Sequence, residues 1–326
     1  MIISQTPYRV SFSGGGTDLP AFYRHEFGAV LSLTINKHMY VAVSPRFENN
    51  TRVSYTDTEI ADSVNSIQHS IVREAIHLTQ PGRHVEITTI GDVPAGTGLG
   101  SSSTLSVGLV NALYALKGEI SPAEDLARNA CSIEIDILEK TIGRQDQYAA
   151  AYGGFNYIRF FPDDSVSVDP VPCATDVFEE LQQNSLLIYT DKQRDAHTIL
   201  ERQSNDTENQ MPVLRQMRDL AAEMCKAISG RGDLAEFARL LHDGWELKRS
   251  LGCGISEARF DEWYEAARRA GAQGGKILGA GGGGFMLFLA PPERHDKIRE
   301  ALGHPRELPF KADPHGSRIV FMSQRH

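Results

Sequence analysis

The sequence predicts an α+β fold. The first third of the chain reads as mostly strands, and strands and helices then follow one another without the regular strand–helix–strand alternation of a doubly wound sheet. With 326 residues, the chain exceeds a typical single domain. An Asp- and Pro-rich stretch at 162–172 predicts a loop. There we expect a boundary between two lobes, residues 1–165 and residues 166–326.

Alternating apolar residues and short apolar runs predict the strands. In chain order these strands are 8–13, 29–35, 39–44, 51–55, 85–89, 155–161, 186–190, 285–289 and 318–322. Asn36, Lys37 and His38 separate the second strand from the third, and their sequence predicts a turn.

Apolar residues three and four positions apart predict the helices. In chain order these are 62–78, a helix containing Leu105 and Leu116, 121–141, 195–232, 233–251, 257–270 and 293–302. Ser121 and Glu124 have the spacing of a capping box, with Pro122 at the first helical position, so helix 121–141 should begin there.

Composition and charge exclude several classes of protein. The net charge of -9 disfavours sequence-independent nucleic-acid binding, which needs a basic surface. The chain has neither a secretory signal nor the roughly 18 consecutive apolar residues of a membrane span, so we expect no membrane partner and a cytoplasmic location. Four widely spaced cysteines predict free thiols in a reducing compartment: Cys131, Cys173, Cys225 and Cys253.

Residues 94–103, Pro-Ala-Gly-Thr-Gly-Leu-Gly-Ser-Ser-Ser, lie between a predicted strand and a predicted helix, and we call them the glycine–serine loop. Glycines at 96, 98 and 100 would let backbone N–H groups approach a phosphate, and the helix start favours negative charge. The three serine hydroxyls can donate to phosphate oxygens or bind magnesium. The alternative is a turn with serine N-caps, and the glycine spacing favours phosphate.

Two better-known phosphate motifs do not fit the glycine–serine loop. The P-loop pattern needs a lysine before its hydroxyl residue, and none is present. The dinucleotide pattern needs its third glycine one position later and an acidic residue about 20 positions further on, where this chain has Lys117 or Gly118. A nicotinamide dehydrogenase is therefore a distant alternative.

Two further glycine-rich segments suggest close approach of the backbone to a ligand. Strand 8–13 places Arg9 just before three glycines and Asp18; Arg9 could stabilise a transferring phosphoryl group, and Asp18 could accept hydrogen bonds from sugar hydroxyls. Taken alone, a surface arginine and a turn aspartate would be the simpler interpretation. Residues 279–284 hold five glycines in six positions, directly before a predicted strand, which disfavours a flexible linker.

Acidic residues in helix 121–141 and in the segment that follows it are candidates for catalysis. Glu134 shares a helix face with Leu138 and is the candidate inward carboxylate, whereas Asp136 and Glu139 should face solvent. Asp146 follows a glycine break and could act as a base for a hydroxyl, although an N-cap role is also common for such a residue.

Together and in this order, the segments at 7–20, 94–103 and 279–284 resemble the three motifs of the GHMP kinases, and they span nearly the whole chain. The resemblance implies ATP and Mg2+ as cofactors. It also implies two α+β lobes, an N-terminal lobe like ribosomal protein S5 domain 2 and a ferredoxin-like C-terminal lobe.

Residue by residue, the resemblance implies Asp146 and Arg9 as catalytic residues, and Ser102 and Glu134 as ligands of Mg2+. The residues it implies for ATP phosphates are Pro94, Gly96, Gly98, Leu99, Gly100, Ser101, Ser102 and Ser103. The candidates for substrate binding are Gly15, Gly16, Thr17, Asp18, Arg144, Lys192, Arg194, Gly282 and Gly283.

The motif at 14–18 is Gly-Gly-Gly-Thr-Asp, whereas galactokinases carry Glu-His-Thr-Asp, which disfavours galactose. The runs at 13–20, 145–154 and 276–285 are most similar to kinases of D-glycero-D-manno-heptose 7-phosphate, which make the 1,7-bisphosphate for nucleotide-activated heptose. The resemblance therefore implies a small sugar phosphate as substrate. A fucose- or galactose-like sugar and a catalytically silent ATP sensor remain alternatives, and a homodimer is left open.

A substrate that already carries a phosphate needs a cation to hold it. Five basic residues near predicted loops are candidates: Lys37, Arg144, Lys192, Arg194 and Lys276. Each is also a plausible surface charge. Arg144 could instead pair with Asp146 and lower the pKa of that carboxyl group.

Overall fold

A computed structural model describes residues 1–193, 196–252 and 254–323. Its strands are β1 (Ile2–Ser13), β2 (Gly28–Pro45), β3 (Thr51–Ser54), β4 (Thr58–Ala61), β5 (Val85–Gly91), β6 (Phe155–Phe160), β7 (Val166–Pro170), β8 (Ser185–Tyr189), β9 (Gly274–Ile277), β10 (Phe285–Leu289) and β11 (Arg318–Met322).

Its α-helices are α1 (Pro20–Tyr23), α2 (Ser70–Thr79), α3 (Ser101–Lys117), α4 (Ala123–Cys131), α5 (Gln145–Tyr152), α6 (Thr175–Gln183), α7 (Ala196–Asn205), α8 (Thr207–Ile228), α9 (Leu234–Ser250), α10 (Ala258–Ala270) and α11 (His295–Ala301). None of these helices is both long and apolar enough to cross a lipid bilayer.

Two sheets organise the described part of the chain, so the predicted α+β class is confirmed. Eight strands form the larger sheet in the order β11-β1-β2-β5-β3-β4, with β6 paired to β2 and β7 paired to β6. The smaller sheet is antiparallel, in the order β8-β10-β9.

Helix α3 packs on β1 and β2, because apolar residues cover almost its whole surface and must be buried on several sides. Leu105, Leu109, Leu113 and Leu116 are all buried in the core between the large sheet and its helices. A second core joins β1 and β2 to α9 and the small sheet through Phe12, Phe237 and Leu287. This shared core brings the end of β1 close to the segment that follows β9.

The predicted turn at Asn36, Lys37 and His38 is wrong. Strand β2 runs unbroken from Gly28 to Pro45 and stays paired with β1, with Pro7 opposite His38 and Tyr8 opposite Ile35. The two intervening residues form a β-bulge, which absorbs extra residues without reversing the chain. Backbone N–H of Asn36 donates to the carbonyl of Lys311, so the bulge also holds the C-terminal segment.

Helix 62–78 starts later than predicted. A 3-10 turn at Val64–Ser66 precedes α2, and residues just before it form the unpredicted strand β4. The predicted helix 195–232 is two helices, α7 and α8. Stretch 162–172 is not a loop throughout, because β7 pairs with β6 inside it. The lobe boundary after residue 165 remains a prediction.

The predicted helix 121–141 ends early and lacks its capping box. Helix α4 begins after Pro122 without a side-chain cap and continues from Ser132 to Ile137 as a π-helix. The Glu124 carboxylate instead accepts hydrogen bonds from the hydroxyls of Tyr148 and Tyr152, at 3.1 and 3.0 Å. The carboxylate that a capping box would use is therefore bound by two tyrosines of α5 instead. Burial of Tyr152 and its contact with Glu124 raise the pKa of Tyr152 to about 12.

Candidate active site

A cavity of about 470 Å³ brings the three glycine-rich segments together. The candidates that line it are Arg9, Gly15, Gly16, Asp18, Gly96, Gly98, Gly100, Ser101, Ser102, Ser103 and Asp146. Other lining residues are Ser11, Leu19, Met39, His69, Ile71, Ala95, Leu105, Ile142, Gly143, Gln145, Leu200, Gln203, Lys248, Gly279 and Ala280.

The glycine–serine loop forms one wall and ends at the first turn of α3. Its three glycines have positive φ angles of 74°, 83° and 83°, which favour glycine over residues with a side chain. Gly100 is the N-cap of α3 and offers no capping side chain, so no side chain caps the N–H groups of the first turn. The residues of this turn, Ser101 to Ser103, line the cavity. Donors arranged in this way fit an anion such as a phosphate.

Pro94 and Leu99 support this loop from outside the cavity. The carbonyl of Pro94 accepts a hydrogen bond from Thr97 Oγ1 at 2.9 Å. Leu99 is fully buried, and its carbonyl accepts from backbone N–H of Arg9 at 3.2 Å. Neither side chain lines the cavity, so both residues would fix the shape of the loop.

Ser102 and Glu134 meet at the mouth of the loop. Oε1 of the fully buried Glu134 accepts a hydrogen bond from Ser102 Oγ at 2.5 Å, and Oε2 accepts from Gln147 Nε2 at 2.9 Å. Lys140 Nζ lies 3.3 Å from Glu134 Oε1 and 3.2 Å from Ser102 Oγ. Glu134 lies in the π-helix, a feature that is frequent at functional sites. As predicted, Asp136 is exposed.

This donor pair fits Mg2+. The ion prefers oxygen ligands and is usually held by one or two protein groups together with substrate phosphates. A hydroxyl and a carboxylate oxygen converge here, and the ammonium of Lys140 contacts both, which shows that the position attracts a cation. Within the described ranges, no cluster of three or more His, Cys, Asp or Glu side chains could hold a metal without a ligand's help.

Arg9, not Arg144, pairs with Asp146. Arg9 is 3% exposed, and its Nη2 lies 2.7 Å from Asp146 Oδ1. Gln145 Nε2 donates to the same oxygen at 3.1 Å. Arg144 turns away to Asp164, at 2.9 Å, and stacks over the ring of Tyr23. The alternative in which Arg144 pairs with Asp146 is therefore wrong, because α5 begins between the two residues and directs their side chains apart.

Asp18 lies deep in the same cavity. Its carboxylate accepts hydrogen bonds from backbone N–H of Gly16 at 2.9 Å and of Gln145 at 3.2 Å. Burial raises the pKa of Asp18 above its usual value, and the charge of Asp146 adds to this effect. A Cβ atom at Gly143 would overlap with the Asp18 carboxylate, so the glycine before α5 leaves room for it. Thr17, another substrate-binding candidate, does not line the cavity. Its Oγ1 stabilises the turn by donating to the carbonyl of Gly14 at 2.8 Å.

Three basic candidates lie outside the cavity lining. Lys192 is exposed and pairs with Glu257 at 2.6 Å. Lys37 lies in the β2 bulge. Lys276 is buried and donates to the carbonyl of Phe12 at 3.1 Å, and burial lowers its pKa well below the usual value. Lys276, a candidate because it lies near a predicted loop, is thus buried in β9 and does not line the cavity.

The remaining substrate-binding candidates include two glycines and an arginine. Gly282 N–H donates to the carbonyl of Ile255 at 2.7 Å, and Gly283 packs against the backbone of Lys192, so neither lines the cavity. Gly279 and Ala280 from the same segment do line it. Arg194 and Cys253 lie outside the described residues. Cys131, Cys173 and Cys225 are free thiols, as predicted.

Among the polar residues that sequence reasoning missed, Gln203 and Lys248 line the cavity, and Lys140 contacts Ser102 beside it. Lys140 follows the π-helix, Lys248 lies on α9 and donates to the carbonyl of Gly279, and Gln203 lies on α7. No local pattern marks any of them, since each reaches the site through packing of distant elements. The sequence offers one weak indication, the position of Lys140 directly after the acidic segment 134–139.

Comparison with known proteins places this geometry in a family. The sequence pattern of the GHMP kinases N terminal domain matches residues 68–154, and that of the GHMP kinases C terminal region matches residues 217–305. A D-glycero-alpha-D-manno-heptose 7-phosphate kinase of Campylobacter jejuni is 30% identical over 318 residues, covering 92% of this chain and 93% of the relative.

Two further proteins are similar over nearly the whole chain. A crystal structure of a D-glycero-D-manno-heptose 1-phosphate kinase from Bacteroides thetaiotaomicron superposes with a TM-score of 0.82 at 26% identity, covering 99% of this chain and 100% of that one. A bifunctional fucokinase/GDP-fucose pyrophosphorylase of Arabidopsis thaliana is 26% identical over an alignment of 336 positions, which covers 94% of this chain and 32% of that protein.

Both family patterns contain residues that line the cavity, Gly100 and Asp146 in the first and Lys248 and Gly279 in the second. The C. jejuni relative matches along almost the full length of both chains. The resemblance inferred from the three glycine-rich segments is thereby confirmed, together with the α+β GHMP kinase fold that it implied. This chain belongs to the GHMP kinase family of ATP-dependent kinases.

Proposed function

We propose that this protein transfers the γ-phosphoryl group of ATP to the anomeric hydroxyl of D-glycero-D-manno-heptose 7-phosphate, giving the 1,7-bisphosphate and ADP. The observation that carries the proposal is that Asp146, Asp18 and Ser102 line one cavity. Ser102 is also hydrogen-bonded to the buried carboxylate of Glu134. The C. jejuni and B. thetaiotaomicron proteins support the sugar, since both are named as kinases of a heptose phosphate, although the names differ in the position of the phosphate.

The glycine–serine loop would bind the ATP phosphates. GHMP kinases use ATP and Mg2+. Backbone N–H groups at the start of α3 and the hydroxyls of Ser101 and Ser103 would donate to phosphate oxygens. Ser102 and Glu134 would hold Mg2+, which, when bound, neutralises charge on the phosphates. Lys140 would have to move away from Ser102 when the ion enters.

Asp146 would orient the acceptor hydroxyl and take its proton. As the hydroxyl oxygen forms its bond to the γ-phosphorus, the bond from that phosphorus to the bridging oxygen of ADP breaks, and the hydroxyl proton passes to an Asp146 carboxylate oxygen. Arg9 would hold this carboxylate, because two of its nitrogens contact Oδ1 and a third is fixed on the carbonyl of Gly98. Positioning would supply much of the rate.

Asp18 would accept hydrogen bonds from the sugar, with Gly15 leaving room for it beside the carboxylate, since no atom lies within 4 Å of its Cβ position. Thr17 would support their turn. We assign no ligand contact to Arg144, Lys192 or the glycines at 282 and 283, which do not line the described cavity.

An unphosphorylated, fucose-like sugar is the second candidate. Of the described lysine and arginine side chains, Arg9 and Lys248 line the cavity, and Arg9 is already paired with Asp146. A substrate phosphate would therefore depend largely on Lys248. The A. thaliana relative is named in part as a fucokinase, which supports fucose as the example of such a sugar.

Coupled ADP release with Mg2+ present tests both candidates. We expect turnover with D-glycero-D-manno-heptose 7-phosphate and much less with fucose, galactose or mannose. If a sugar without a phosphate is turned over faster than the heptose phosphate, the unphosphorylated sugar becomes the proposed substrate. If ATP binds normally but none of these sugars is phosphorylated, the protein is a nucleotide sensor and the proposed activity is wrong.

A further inference from the structure

We propose that Gln203 recognises the sugar, donating a hydrogen bond from Nε2 to a hydroxyl oxygen beside Asp18. This inference rests on the proposed function, because it assigns a specificity role within the same cavity. Gln203 lines the cavity and is only 2% exposed. Its Nε2 atom is buried and has no hydrogen-bond partner among the described residues.

The amide lies at the substrate end of the cavity. A Cβ atom at Gly16 would overlap with Gln203 Nε2, so the amide packs directly on the Gly16 backbone. Gly16 N–H in turn donates to Asp18 Oδ1 at 2.9 Å. Leu200, one helical turn before Gln203 on α7, also lines the cavity. This face of α7 therefore closes the end of the cavity that Asp18 occupies.

A buried amide without a partner costs free energy, and such groups in native proteins call for an explanation. A ligand oxygen would remove the cost. Gln203 offers a donor and the Asp18 carboxylate an acceptor, and a hydroxyl group can use both at once because it donates and accepts. A phosphate only accepts at neutral pH and would be repelled by the Asp18 carboxylate, so the pair is better matched to a hydroxyl.

The Gln203→Leu variant keeps the approximate size of the side chain and removes the donor. We expect the KM for the sugar to rise at least about tenfold, with the KM for ATP within about twofold of wild type. The melting temperature without substrate should stay the same or rise, because the variant removes an unpaired buried group. A purely structural role for Gln203 would instead lower the melting temperature.

Gln210→Leu is the matched control. Gln210 is also a buried glutamine, on α8, but its Nε2 donates to Asp206 at 2.9 Å and to the carbonyl of Leu251 at 3.2 Å. Its loss should lower the melting temperature and leave both KM values nearly unchanged.

Sugar analogues identify the group that Gln203 contacts. With a series of monodeoxy sugars, the penalty of Gln203→Leu should vanish for the one analogue that lacks the recognised hydroxyl. If it vanishes only for the sugar without a phosphate, Gln203 binds the phosphate and the proposed contact is wrong. An unchanged KM in Gln203→Leu, with an active wild type, overturns this inference and leaves the proposed function standing. A wild type that neither phosphorylates nor is stabilised by any sugar overturns both.

Discussion

Arg9 and Asp146 form an ion pair in which Nη2 and Nε of the arginine approach the same carboxylate oxygen, at 2.7 and 2.8 Å. Nη1 of Arg9 donates to the carbonyl of Gly98 at 2.7 Å. One nearly buried guanidinium thus links β1, the glycine–serine loop and α5. Any shift of the loop is transmitted to the carboxylate that we propose as the base.

Replacing Asp146 by Asn should lower kcat by roughly 100- to 10,000-fold, the usual contribution of a general base. The KM for ATP should change little, because Asn still fits between Arg9 and Gln145. Steady-state ADP release measures both quantities. Asp164→Asn is the control: Asp164 also pairs with an arginine, Arg144, but outside the cavity, and its loss should leave kcat unchanged. A kcat within tenfold of wild type would remove Asp146 from the mechanism.

Local patterns predicted the parts of the site that depend on neighbours in sequence. The glycine–serine loop and α3 follow from glycine spacing and leucine periodicity, and Ser102 and Glu134, which the family resemblance paired, are in contact. Strand β10 and strand β11 were predicted with their observed bounds, because each is a short apolar run bounded by a turn or loop.

Features set by tertiary packing escaped prediction. The β2 bulge depends on pairing with β1 and with the segment around Lys311, and neither is visible in the local sequence. Helix α4 continues as a π-helix at the point where Glu134 accepts hydrogen bonds from Ser102 and Gln147. Gln203 reaches the cavity from an element about 190 residues after the motif it contacts, and only folding brings them together.

Gly100, in the glycine–serine loop, packs closely against Asp146, the proposed base. Its φ angle is 83°, and a Cβ atom there would lie 3.1 Å from Asp146 Oδ2. Gly100→Ala should therefore destabilise the fold by about 1 kcal/mol through backbone strain and also displace the carboxylate, lowering kcat about tenfold or more.

Gly82→Ala separates the two effects of the Gly100 change. Gly82 has a φ of 71° but no atom within 4 Å of its Cβ position, so this variant should lose similar stability with unchanged kcat. Chemical denaturation and ADP release measure the two effects. Equal kcat values in Gly100→Ala and Gly82→Ala would show that the approach to Asp146 has no catalytic consequence.

Lys140 competes with Mg2+ for Glu134 and Ser102 if these two groups hold the ion. Lys140→Met leaves the buried carboxylate with fewer donors, so stability in EDTA should fall by about 1–2 kcal/mol, an amount reduced by the 27% exposure of the lysine side chain. The affinity of the nucleotide-free protein for Mg2+ should rise by roughly tenfold, because a nearby positive charge is gone.

Calorimetric titration with Mg2+ and melting curves with and without the ion check the Lys140 prediction. A larger Mg2+-induced rise in melting temperature is expected in Lys140→Met than in wild type. Lys117→Met provides the control, since Lys117 pairs with Glu119 at 2.9 Å at the far end of α3 and should leave Mg2+ binding unaffected. Weaker binding of Mg2+ by Lys140→Met would mean that the lysine assists the ion instead of competing with it.

Lys276 should make stability depend on pH in the alkaline range. Burial, with added repulsion from Lys248 and Arg9, lowers its pKa well below 10.5 in the folded protein, whereas the unfolded chain titrates at about 10.4. Between these two values the unfolded state binds more protons, so stability rises with pH there. The stabilising contribution is complete above about pH 10.4 and is lost as the pH falls through the folded pKa.

Lys276→Met removes this titration, and the loss of its hydrogen bond to the Phe12 carbonyl adds an offset that does not depend on pH. Relative to wild type, the variant should therefore gain most at neutral pH, and its advantage should shrink by at most about 1.4 kcal/mol per pH unit as the pH approaches 10. Urea denaturation at several pH values measures the difference, in which the other titrating groups cancel. The exposed Lys297, changed to Met, should show a flat difference. A flat difference for Lys276→Met as well would mean that the buried lysine keeps its proton over the whole range.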